Sequence, residues 1–72
     1  MKRYNLYKVH FVDAPSVGDV ETVGVLNEHG SKDIKADLDK INDACGNFRL
    51  ISTGWENARE NEATSICDKL IG

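Results

Sequence analysis

Two cysteines, two histidines and a run of aspartates are the side chains here that could carry chemistry, and their spacing decides what kind. Cys45 and Cys67 are far apart and form no C-x-x-C pair. A reactive thiolate needs an electropositive, partly open setting such as a helix N-terminus. Cys45 falls instead at the end of a helical pattern, and Cys67 is followed by Asp68. Both are read as free thiols that pack as small hydrophobes. His10, His29, Cys45 and Cys67 are enough ligands in kind for zinc, but closed zinc sites usually contain a tight ligand pair and this sequence has none. Asp33, Asp37, Asp39 and Asp43 have the composition of a calcium site without its loop spacing. They read as a solvated helix face, with Lys35–Asp39 and Asp37–Lys40 as ordinary neighbouring pairs. Gly24, Gly30, Gly46 and Gly54 occur singly, so no phosphate loop is present. No catalytic, metal or cofactor residue is assigned, and a non-enzymatic protein is expected.

Charge distribution points to binding. The chain has 9 basic and 12 acidic residues, a net charge of −3. Residues 1–10 contain Lys2, Arg3 and Lys8 without an acid; residues 11–31 contain Asp13, Asp19, Glu21 and Glu28 without a base. The candidate partner-binding residues are Tyr4, Leu6, Lys8 and His10 on the basic strand, Asp19 and Glu21 on the acidic one, and Trp55 as a contact anchor. Basic groups interleaved with aromatics could hold a single nucleic-acid strand by stacking and phosphate contact. The acidic remainder of the chain opposes that reading, so a protein partner, basic in the case of Asp19 and Glu21, is preferred.

The elements that position these residues follow from periodicity. Residues 4–12 alternate as a strand, with Tyr7, Val9 and Phe11 toward a core and Leu6, Lys8 and His10 outward, in register with Tyr4 and Val12. Asp13 to Gly18 form a connector. Residues 19–26 form a second strand whose alternation is imperfect, which a bulge near Gly24 would reconcile. Ser31 is expected to cap a helix over 32–45, with Ile34, Leu38, Ile41 and Cys45 as its apolar stripe and Gly46 as its stop. Residues 48–53 form a third strand. A second helix starts at one of two capping boxes, Thr53 to Glu56 or Asn57 to Glu60, and buries Ala63, Ile66, Cys67 and Leu70.

The expected fold is a single α+β domain over residues 1–72, a ββαβα two-layer sandwich. Its three-stranded, mainly antiparallel sheet has order 2-1-3 and carries both helices on one face, since that packing buries both apolar stripes. A core of this size supplies on the order of 3–5 kcal/mol net. Two cysteines are too few for a disulfide framework, so association, as a homodimer or with a partner, is the expected staple. No secretory or membrane-spanning segment is read, and a cytoplasmic location is expected. The functional expectation is a small inhibitor or modulator that acts by occupying a protein partner. Nucleic-acid binding through the N-terminal strand is the alternative, and a small ligand binder or enzyme using His or Cys is a third possibility.

Overall fold

A computed structural model describes residues 2–13 and 19–72, with the side chains of Trp55 and Glu56 left undescribed. Most of the expected connector after Asp13, and the side chain proposed as an anchor at Trp55, therefore lie outside the described residues. The described elements run β1 (Arg3–Phe11), β2 (Glu21–Leu26), α1 (Ile34–Cys45), β3 (Phe48–Arg59), α2 (Glu60–Ile66) and β4 (Lys69–Ile71). Among the described residues the sheet has four strands, in the order β3-β1-β2-β4. The α+β class and the adjacency of β2, β1 and β3 match the expectation. The sheet is mixed, because β4 joins β2 in parallel while β1 pairs antiparallel with both neighbours.

The largest correction concerns the layers. Both faces of the sheet are covered. Tyr7, Val9, Val23 and Val25 pack with Ile41 of α1 on one face. Tyr4, Leu6 and Ala58 pack with Ala63 of α2 on the other. The helices lie on opposite faces, and the molecule has three layers. The physical reason is visible in β1. A strand covered on both sides is apolar at both parities, and β1 carries Tyr4 and Leu6 on one parity and Tyr7, Val9 and Phe11 on the other.

The same reason removes the expected bulge at Gly24. β2 pairs with β1 in unbroken register, with Leu6 opposite Gly24. A Cβ at Gly24 would lie 2.7 Å from Leu70 Cδ2 and 3.1 Å from Cys67 Sγ, so glycine is required there by close approach. The irregularities fall in β3 instead, between the partners of Tyr4 and Leu6 and between those of Lys8 and Val9. The first of these contains Asn57 at φ 44°, a left-handed conformation that asparagine tolerates.

Three boundaries also move. Asp33, not Ser31, caps α1: its Oδ1 accepts from the Ala36 N–H at 3.1 Å. Ser31 serves the preceding loop, donating its N–H to Asn27 Oδ1 at 3.0 Å. β3 continues past both expected capping boxes to pair Ala58 with Tyr4 and Arg59 with Arg3, and α2 begins only at Glu60, without a side-chain cap. Glu60 and Glu62 still occupy the first turn, where carboxylates favour the helix dipole. α2 ends at Ile66, and Leu70 sits in β4 beside Gly24. It thus reaches the same face as Ala63 and Cys67 by a strand rather than by a helical turn. Gly46 ends α1 at φ 94°, with its N–H donating to the Asn42 carbonyl.

Candidate functional site

The residues singled out by sequence do not gather into one site. Tyr4 and Leu6 are each only 5% exposed and belong to the core beneath α2. Tyr4 therefore has no face on which a base could stack, and its expected outward placement is corrected. Lys8 is exposed and His10 is half-buried on that same side of the sheet. His10 donates its Nδ1–H to the Asp19 carbonyl at 2.7 Å. Glu21 turns to the α1 side, 3.7 Å from Lys69 Nζ, while Lys69 also lies over the Phe11 ring at 4.9 Å. Asp19 is exposed. β2 is an inner strand, because β4 covers the edge expected to be open. The acidic segment consequently forms no single face: Glu21 is paired, and Glu28 stands in a loop at the opposite end of β2.

The site that sequence reasoning missed lies under α1. In the sequence Asp37 reads as part of a solvated face, paired with Lys40, yet it is 2% exposed. Its Oδ2 accepts from Asn5 Nδ2 at 2.9 Å and from the Tyr7 hydroxyl. Asn5 Nδ2 also donates to the Ser31 carbonyl at 2.9 Å. The cluster ties β1, the loop before α1 and α1 itself into one network. The α1 stripe is accordingly rotated from its expected centre: Asp37 and Ile41, one turn apart, face the sheet, while Ile34 is exposed. The available signal was Asn5, a polar residue on the same parity of β1 as Tyr7 and Val9. A buried amide needs a partner, and a helix carrying several aspartates could supply one.

Burial is the main cause of a shift in Tyr7, whose phenol is pushed well above its ordinary value. The hydrogen bond to Asp37 and the negative charge nearby add to it, against a smaller opposing effect of Asn5. The folded state therefore holds this proton at pH values where the unfolded chain releases it. This contribution to stability is fully present below pH about 10 and is lost as pH rises above it. Alkaline titration should show the Tyr7 phenolate absorbance emerging together with loss of far-ultraviolet dichroism. Tyr7→Phe should lack that late component. A Tyr7 phenolate that forms near the ordinary value in a folded chain would contradict the network.

The thiols stand apart. Cys45 is half-buried at the end of α1, and Cys67 is half-buried beside Gly24. Burial, then the neighbouring Asp68, pushes the Cys67 thiol up, which disfavours the thiolate a nucleophile needs. His29 lines a shallow cleft with Asp33, Asp37 and Lys40, at the other end of β2 from His10. Among the described residues no three His, Cys, Asp or Glu side chains gather in metal-binding geometry, and no helix is long and apolar enough to cross a membrane.

The described surface offers two features for binding. The first is the outer edge of β3, a 12-residue strand paired on one side only among the described residues. Leu50 and Ile51 are 37% and 43% exposed along it. The second is the half of the α2 side that α2 leaves open, where cross-strand rows Gly54–Leu6–Gly24, Ser52–Lys8–Thr22 and Arg49–His10 run from β3 across β1. Comparison with protein-family models, curated proteins and solved structures finds no match to this chain.

Proposed function

We propose that this chain is a non-enzymatic interaction module, an inhibitor or modulator that acts by occupying another protein through the β3 edge. The observation that supports this reading is that edge. A row of backbone N–H and C=O groups without a neighbouring strand is a template for adding one. β4 closes the opposite side of β2 with only three residues, whereas β3 presents a strand four times that length. The edge also carries exposed Leu50 and Ile51 rather than the lysines or prolines that commonly blunt such edges. The added strand comes from a protein partner or from a second copy of the chain. The small core, with two free cysteines and no disulfide, gives association a stabilising role as well.

Light scattering over a range of concentrations separates a self-associating chain from a monomer that keeps the edge for its target. In either case Ile51→Lys should lower association at least about tenfold, roughly the 1.4 kcal/mol that a charged residue in an apolar contact readily costs, with the circular dichroism of the free chain unchanged. Undiminished association of this folded variant would remove the β3 edge from the mechanism.

A further inference from the structure

The open half of the α2 side has a chemical character that the β3 edge alone does not. Lys8 and Arg49 are exposed there, and neither enters an ion pair among the described residues. His10 stands opposite Arg49. Of the carboxylates bordering this area, Asp68 is engaged in accepting the Thr22 N–H at 2.9 Å, and Asp19 is exposed beside His10. Between these cations and the end of α2 is a groove lined by Leu6, Lys8, Thr22, Ser52, Gly54 and Ile66. Its floor is low because small residues occupy it.

The two glycines flanking Leu6 show why the groove is open on one side. On the β2 side, the space above Gly24 is filled by Leu70 and Cys67. On the β3 side, a Cβ built at Gly54 would meet only Leu6 itself, its carbonyl oxygen at 3.4 Å and its Cβ at 3.8 Å. Ile66, 51% exposed, forms a wall of this hollow. The protein thus fills one of two matching depressions from its own chain, and among the described residues nothing fills the other, next to the β3 edge.

We propose that this surface takes an acidic, extended segment of a partner protein, an inference that rests on the reading of β3 as a docking edge. A strand added to β3 continues the existing rows, because alternate side chains of neighbouring strands share a face. One of its side chains falls beside Gly54 and one beside Arg49. An aliphatic group fits the hollow between Gly54 and Ile66, and carboxylates match Arg49 and Lys8. Charge complementarity decides the occupant: a basic segment would meet two unpaired cations, and a nucleic acid would find no exposed aromatic among the described residues of this face, since Tyr4 is buried.

The test uses labelled hexapeptides of alternating glutamate and leucine, with alternating lysine and leucine and a single-stranded oligothymidylate as comparisons, titrated into the intact chain by fluorescence anisotropy. The glutamate peptide should bind in preference to the lysine peptide by at least about tenfold, with affinity falling as salt rises. Lys8→Glu with Arg49→Glu should reverse that preference. Gly54→Val should block binding by filling the hollow; a Cβ there makes only ordinary contacts, and an unchanged circular dichroism spectrum of the variant separates blocked binding from a lost fold. Equal binding of both peptides, preference for the oligonucleotide, or failure of the glutamate peptide to bind would overturn the proposal. If partner association remains sensitive to Ile51→Lys after such a failure, the docking edge stands and only the acidic character of its occupant falls.

Discussion

Asp37→Ala is expected to remove most of the folding stability of the chain, whereas Asp39→Ala two residues away should be nearly silent. Asp37 Oδ2 accepts from both Asn5 and Tyr7. Removing it leaves a phenolic hydroxyl and one amide hydrogen bond without their buried acceptor. Each buried donor left unmatched costs about 1–3 kcal/mol, so roughly 3 kcal/mol is expected for the pair. The core of a chain this size supplies only about 3–5 kcal/mol net, and the loss would consume most of it. Asp39 is exposed, and surface substitutions usually stay within about 0.5 kcal/mol. Urea denaturation of the two variants beside the parent chain checks the contrast. Equal midpoints for both would show that Asp37 is solvated, as its position in a run of aspartates first suggests.

Leu6→Asp should be comparably severe. Were Leu6 on a free sheet face, a carboxylate there would be harmless and would serve as a probe of binding. In the fold it is 5% exposed and packs with Tyr4, Ala58 and Ala63. Burying a leucine contributes about 1.5–3 kcal/mol, and an unpaired carboxylate in its place adds a further penalty of several kcal/mol. The variant is expected to lose cooperative thermal unfolding altogether. A well-folded Leu6→Asp protein would mean that α2 does not seal this face, and the three-layer architecture would be wrong.

These two substitutions also mark where the sequence was legible. Strand β1, the hairpin partner β2 and helix α1 were readable because period-two and helical apolar patterns are strong over these stretches, and Gly46 ends α1 where a stop was expected. The second core was not read from Tyr4 and Leu6, because a strand apolar at both parities looks like a one-sided strand with stray outer hydrophobics until a second covering layer is allowed. The end of the chain misled for a related reason. Ala63, Ile66, Cys67 and Leu70 are spaced for one helix face, but a seven-residue helix followed by a strand brings Ala63, Cys67 and Leu70 to the same side of the sheet. Ile66 is left exposed. β3 outran its expected end because residues 54–59 look locally like a helix start, and only pairing with Arg3 and Tyr4 reveals otherwise. Asp37 was hidden by composition: its carboxyl is identical in type to those of Asp33, Asp39 and Asp43, and only the tertiary position of Asn5 and Tyr7 distinguishes it.

Of the residues expected to bind a partner, Lys8 remains exposed and His10 half-exposed on the open side, while Tyr4 and Leu6 build the floor that holds them. The surface they leave is bounded by β3, which makes the docking edge and the cationic half-face one continuous area. Amide hydrogen exchange is the most direct measurement of whether that area is the working surface. It should be recorded for the free chain and for the chain in its assembled form, whether with a partner or with itself. Added protection is expected along residues 48–54 of β3, with none on the exposed side of α1. Protection that instead concentrates around the cleft of His29, Asp33 and Lys40, leaving β3 as fast as in the free chain, would contradict it.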